Sequence, residues 1–207
     1  MVKSWVITGV CLIGAGVLCC TAAIGAGALN QQRYREKLHL TDQTDTPSEN
    51  FTAIQVALED ADLTVQTGES VSVEAENISA DCYDVTVRDG VLRIEQRSSS
   101  LNQYTLIHLG EFSIPTAKIT LTLPEENYKS MDISASYGDC TVDGISAQTF
   151  SANLDCGDGT FQNISTENYT AKSSYGDLQL SYSEVKDSLS VEADSGNVTF
   201  ARIDIRN

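Results

Sequence analysis

The alternation of apolar and polar residues divides the chain into three zones. Trp5 to Leu29 is an apolar run without a charged residue over 25 positions. As a helix it would extend roughly 37 Å, more than the ~30 Å hydrocarbon core of a bilayer. Asn30–Asn50 has no apolar period and reads as a polar linker centred on Thr41–Ser48. From Phe51 onward the period becomes two, the signature of half-buried strands. Phe51–Leu58, Ala61–Gln66, Val71–Glu76, Tyr83–Val87, Val91–Glu95 and Lys118–Leu123 all alternate in this way. Asp89-Gly90 between two such runs predicts a tight hairpin, because both residues tolerate positive φ. Thr67–Ser70 reads as a turn, Gln96–Thr116 as a loop. No amphipathic helix of four turns occurs after residue 51.

Within the C-terminal zone one pattern is written four times: MDISASYGDCTVDGISAQT, FSANLDCGDGTFQNISTEN, YTAKSSYGDLQLSYSEVKDS and LSVEADSGNVTFARI. Its glycines, Gly138, Gly157, Gly176 and Gly196, are spaced 19, 19 and 20 residues apart, and are followed by Asp139, Asp158, Asp177 and Asn197. A unit of this length holds two short strands and cannot bury its inward face alone. Stacked on its neighbours it can, so the repeat predicts a β-solenoid of about 19–20 residues per rung. Three apolar columns result: Ile133, Ala152, Ala171 and Val191; Ala135, Leu154, Ser173 and Ala193; Val142, Phe161, Leu180 and Phe200. The expected fold class is all-β, a single-domain β-helix-like solenoid preceded by an N-terminal transmembrane helix. Its parts are an anchor (1–29), a linker (30–50) and a β-strand-repeat domain (51–207), the last split into an irregular β-region (51–127) and four regular repeats (128–207).

The Gly-Asp pairs are the candidate special residues. Each Gly suits a corner requiring positive φ, and each Asp can bond the amides of its own turn. A stack of carboxylates could instead bind calcium, but one Gly-Asp per rung is sparser than calcium-binding repeats carry, and Asn197 breaks the charge ladder. The pairs are therefore read as structural repeat turns, with no metal, cofactor or catalytic residue assigned.

Charge narrows the partners. The formal net charge is −16, from 13 Lys+Arg against 29 Asp+Glu. Four of each lie before Phe51, leaving 9 against 25 in the β-region. Such a surface repels nucleic acid, which is excluded as a partner. Six cysteines, three of them in the apolar run, show no metal-type spacing. Cys140 and Cys156 fall on neighbouring rungs in different columns, and both are read as buried thiols. His39 and His108 sit in no triad-like context, and no GxSxG, P-loop or GxGxxG element occurs.

The apolar run admits two readings. One is an uncleaved anchor, with Trp5 and Tyr34 at the interfaces; the other is a secretory signal peptide cleaved near Ala26-Gly27-Ala28. Its length favours the anchor. Arg33, Arg35 and Lys37 on its C-terminal flank would by the positive-inside rule hold the domain in the cytoplasm, whereas a short N-terminal tail before a single apolar segment usually exports the domain behind it.

The anchor, the Ile119–Pro124 strand and the repeated Ser/Tyr-Gly-Asp turns together resemble the bacterial putative-adhesin family of β-strand-repeat proteins, some of them linked to Lia-type envelope-stress responses. That resemblance implies a membrane- or envelope-associated protein and offers no catalytic residues, and it tips the orientation outward. The expectation is a non-enzymatic, single-pass cell-membrane protein, anchored through residues 5–29. Domain 51–207 would be extracytoplasmic and act as an adhesin-like interaction module toward an unknown cell-envelope protein or polymer. A carbohydrate-acting β-helix enzyme and a calcium-binding repeat protein are the alternatives. Val198, Phe200, Ile203 and Ile205 form a last rung with no obvious cap, which predicts self-association at that end.

Overall fold

A computed structural model of the chain describes residues 2–25, 35–36, 39–97 and 116–206. Helix α1 covers Val2–Gly25. Fifteen strands come after it: β1 (Leu40–Asp45), β2 (Ala53–Thr67), β3 (Ser72–Ser79), β4 (Tyr83–Arg88), β5 (Val91–Gln96), β6 (Ala117–Leu123), β7 (Asn127–Tyr137), β8 (Cys140–Asp143), β9 (Ser146–Cys156), β10 (Gly159–Gln162), β11 (Ser165–Tyr175), β12 (Leu178–Ser181), β13 (Glu184–Ser195), β14 (Val198–Ala201) and β15 (Asp204–Ile205).

These strands stack into two faces joined at a corner. The first face runs β4, β5, the N-terminal half of β2, β7, β9, β11, β13 and β15. The second runs β1, β3, β6, the C-terminal half of β2, β8, β10, β12 and β14. From β5/β6 to the C-terminal end every pairing is parallel, one strand pair per rung. All three expected apolar columns align in register: Ile133↔Ala152↔Ala171↔Val191, Ala135↔Leu154↔Ser173↔Ala193, and Val142↔Phe161↔Leu180↔Phe200. The architecture is all-β, a mostly parallel curled sheet of solenoid type.

The core lies between the faces and is filled by large–small matching. Phe150, Phe161 and Tyr169 form its aromatic centre, with Phe150 and Tyr169 stacked at 5.0 Å and Phe161 edge-on to Phe150 at 5.5 Å. Gly159 sits beneath this cluster, where a Cβ would come within 2.8 Å of the Phe161 ring and 2.7 Å of Leu178. The bulky aromatics therefore occupy space that one rung gives up.

The structure departs from the sequence reading at its N-terminal side. Among the described residues of 51–127, β2 is a complete rung, and β5 with β6 makes another beneath it. Periodicity shows that these strands exist, but not that β2 slots between rungs written far apart in the chain. The segment read as a linker contributes β1, whose residues 40–45 pair antiparallel with β3. Polar β1 escapes pattern recognition because it is an edge strand with no fully buried side chain. The turn expected at Thr67–Ser70 joins β2 to β3, but these strands are not partners; β3 pairs with β6 and β1. The Asp89-Gly90 hairpin is present, with φ of 53° and 75° and Arg88 opposite Val91. The loop expected over Gln96–Thr116 lies, for 98–115, outside the described residues.

In α1 the described side chains from Leu12 to Ala22 are all exposed, among them Leu12, Ile13, Val17 and Leu18. Residues 26–29 of the expected anchor lie outside the described residues. Among the described residues no helix is long and apolar enough to cross a membrane.

Candidate functional site: the Gly-Asp corner

The eight residues singled out in the sequence stand in two adjacent columns at the corner between the faces. The glycines carry φ of +120°, +135°, +146° and +151°. They are required for a second reason as well. A Cβ on Gly138 would fall onto the carbonyl of Ala61, and one on Gly157, Gly176 or Gly196 onto the carbonyl of the glycine one rung before. The corner closes only where backbone meets backbone without a side chain between.

The neighbouring column is a hydrogen-bonded ladder. Asp139 N–H donates to Asp62 Oδ1 at 3.0 Å, Asp158 N–H to Asp139 Oδ1 at 2.9 Å, Asp177 N–H to Asp158 Oδ1 at 2.8 Å, and Asn197 N–H to Asp177 Oδ1 at 2.7 Å. Asn197 Nδ2 adds a second bond to Asp177 Oδ1 at 3.1 Å. Each carboxylate thus satisfies the turn amide of the rung above it. Charge-assisted bonds of this kind tie each corner to the next. Among the described residues no group of three or more His, Cys, Asp or Glu side chains is arranged to hold a metal ion.

Sequence reasoning missed the first member of both columns. Ala61-Asp62 occupies the Gly-Asp position of rung β2, and Ala61-Asp-Leu-Thr-Val65 reads directly against Gly138-Asp-Cys-Thr-Val142. That likeness was the available signal; the alanine and the 77 residues separating the two aspartates obscured it. The turn at Asn163-Ile164, where the chain reverses a second time in each repeat, forms the opposite corner. Gly144, Asn163, Tyr182 and Arg202 all adopt positive φ there, of 78°, 54°, 51° and 57°. Only Gly144 and Asn163 advertise such a turn. Arg202 lies over the Tyr182 ring, 5.2 Å from its centroid.

Also missed is Gln96, buried at the end of β5. Its Oε1 accepts from the amides of Glu59 and Asp60, both at 3.1 Å, while its Nε2 donates to the Arg97 carbonyl at 3.1 Å and to Asp60 Oδ1. One side chain thus ties the end of β5 to the corner of rung β2.

The cysteines divide differently from expectation. Cys140 is buried in the column of Leu63 and Gly159. Burial, then the charge of Asp139, pushes its thiol up to about 12, so it is no nucleophile at neutral pH. Cys156 is half-buried, not buried, because it stands at the corner between exposed Tyr137 and Tyr175 of the adjacent rungs. Both thiols are free.

A depression of about 330 Å³ lies at the far corner, lined by residues including Pro124, Tyr128, Ile145 and Asn163. Burial, followed by the Glu126 charge, raises the Tyr128 phenol to about 12, and its hydroxyl donates to the Pro124 carbonyl at 3.1 Å.

A parallel two-faced β-stack with Gly-Asp corners thus defines the class of the protein. Within that class the chain belongs to the Toastrack DUF4097 family, whose sequence profile matches residues 51–206. No curated protein matches it. Three crystal structures are similar over most of their own length. One is a putative cell adhesion protein from Clostridium sporogenes, 13% identical, covering 81% of this chain and 99% of that one at a TM-score of 0.46. Another is a putative adhesin from Bacteroides fragilis, 13% identical, covering 80% and 96% at 0.37. A third is a putative lipid binding protein from Parabacteroides distasonis, 9% identical, covering 77% and 97% at 0.26. Likeness at these values carries no inference about ligand or activity.

Proposed function

We propose that the protein is a non-enzymatic, membrane-anchored interaction module whose β-solenoid stands outside the cytoplasm and contacts a protein or polymer of the cell envelope. One observation carries the reading: the repeat lays regular rows of polar side chains on the outside of its faces. The outer side of the second face is a straight ladder, with Thr120, Thr64, Thr141, Thr160, Gln179 and Thr199 in register on successive rungs. Rungs about 4.8 Å apart present these polar groups at a fixed repeat, a template for a partner that is itself extended or periodic. The Gly-Asp turns serve as its structural corners. The uncharged, apolar sequence of residues 5–29 and the exposed Leu12, Ile13, Val17 and Leu18 of α1 support an anchored placement.

Half-buried Cys82 provides the test. In a variant whose only cysteine is Cys82, a membrane-impermeant maleimide should label it in intact cells, and unfolding after lysis should add no further labelled fraction. Labelling only after the membrane is opened would refute the extracytoplasmic placement. Retention of α1 in the membrane fraction after a carbonate wash tests the anchor separately.

A further inference from the structure

Beside the glycine column the corner carries a row of side chains that the stack itself does not use. In the position before each corner residue the rungs read Asp60, Tyr137, Cys156, Tyr175 and Ser195, all in register. Tyr137 and Tyr175 are 63% and 65% exposed. Among the described residues neither ring stacks on another, lies under a cation or bonds through its hydroxyl. Tyr182 at the opposite corner, also exposed, is covered by Arg202. A lone exposed tyrosine would call for no explanation. Two at the same position of two rungs make a surface.

Its geometry is regular. The rings stand two rungs apart, roughly 9.6 Å at about 4.8 Å per rung, with half-buried Cys156 recessed between them. Each is followed by a glycine, Gly138 or Gly176, whose backbone is packed against the carbonyl of the rung before, so the platform is set in advance of any ligand. Acceptors border it. Asp139, Asp158 and Asp177 use Oδ1 in the corner ladder, and Oδ2 of each makes no bond among the described residues. Asp155 is exposed on the middle rung, beside Cys156.

We propose that Tyr137 and Tyr175 form a stacking platform for a neutral, extended β-1,4-linked polysaccharide. The C–H face of a pyranose packs on an aromatic ring while its hydroxyls donate to carboxylates. A β-1,4-linked chain of equatorially substituted sugars is a flat ribbon in which every second sugar turns the same face to one side, at a repeat close to the tyrosine spacing. Laid along the stack, it sets alternate sugars on Tyr137 and Tyr175 and carries the intervening one over Cys156. An α-linked chain coils and loses this register. The acidic border selects a neutral polymer, since a uronate- or phosphate-bearing chain would be repelled. The inference rests on the reading of the protein as an interaction module and names the partner of one edge; it does not depend on membrane placement.

Calorimetric titration of the full chain, in micelles of a detergent without a sugar headgroup, tests it with chitohexaose, a neutral β-1,4-linked hexasaccharide. Binding is expected, and maltohexaose, the α-linked comparison, should bind at least 5-fold more weakly. Tyr137→Ala and Tyr175→Ala should each weaken chitohexaose about 5-fold, the worth of one stacked ring, and Tyr182→Ala should leave it unchanged; circular dichroism checks that the variants fold. Chitobiose, too short to reach both rings, should bind about 5-fold more weakly than chitotriose. Absence of chitohexaose binding at millimolar concentration would overturn the inference and leave the interaction module to a protein partner. Equal binding of maltohexaose, or of chitohexaose to both tyrosine variants, would overturn it as well. Loss of binding in Thr141→Lys but in neither tyrosine variant would move the sugar to the second face, refuting this site and not the module.

Discussion

Gly157→Ala is the sharpest test of the corner. At φ +135° an L-residue is strained by about 1–3 kcal/mol. The new methyl would also sit 2.7 Å from the Gly138 carbonyl carbon and nearer still to its oxygen. An ordinary carbon–carbon contact needs about 3.5 Å, so the rungs must part locally by roughly 0.8 Å. Three ladder bonds span that gap: Gly138 N–H to the Cys156 carbonyl (3.2 Å), Cys140 N–H to the Asp158 carbonyl (2.9 Å) and Asp158 N–H to Asp139 Oδ1 (2.9 Å). Losing two of them adds about 2 kcal/mol at the usual net worth of a hydrogen bond. Strain and lost bonds together predict a cost of about 3–5 kcal/mol. Gly90→Ala is the matched control, since that glycine has φ +75° with nothing within 4 Å of an added Cβ; it should cost only about 1–2 kcal/mol. Urea unfolding of the full chain in detergent, followed by circular dichroism, measures both. Equal costs would show that the carbonyl approach is immaterial and that positive φ alone explains the glycine column.

Three further outcomes rest on the same structure. Gln96→Ala removes the acceptor shared by the amides of Glu59 and Asp60 and should destabilise by about 2–3 kcal/mol; a change below about 0.5 kcal/mol in urea unfolding would refute its role in tying β5 to the corner of rung β2. Tyr169 is buried with no hydrogen-bond partner for its hydroxyl among the described residues, so Tyr169→Phe should stabilise by about 1 kcal/mol, and a fall in melting temperature would count against that reading. Stability should also fall in alkali. Burial raises the Cys140 thiol from 9.0 to about 12 and the Tyr128 phenol from 10.0 to about 12. Both are held protonated in the fold, so their contribution is full below the ordinary values and is lost as pH rises toward 12. Unfolding free energy measured across that window should decline, and less steeply in Cys140→Ala; a flat profile would show that neither group is held protonated by the fold.

Much of this architecture was legible because the solenoid is nearly one-dimensional. Within residues 131–200 each rung contacts its neighbours at a constant sequence offset, so register comes from simple alignment of the repeats. The corner glycines were legible for the same reason. What escaped were features whose partners lie far apart in the chain. Ala61-Asp62 begins the corner ladder, yet only the insertion of β2 between β5/β6 and β7/β8 shows it. Gln96 looks like any polar strand end until rung β2 is in place beside it. Polar β1 reads as linker because an edge strand needs no apolar stripe.

Taken alone, the sequence determined the all-β class, the rung length, the apolar columns and the glycine corners, since these depend on local alternation and a fixed repeat. Tertiary structure decided the rest. It placed an early strand inside the stack and closed one end with antiparallel strands, because those outcomes depend on long-range pairing that no local pattern encodes. The Gly-Asp column shows both contributions at once. Local chemistry says that a turn is there; only the stacked backbone shows that the glycine admits the carbonyl of one rung while the aspartate binds the amide of the next.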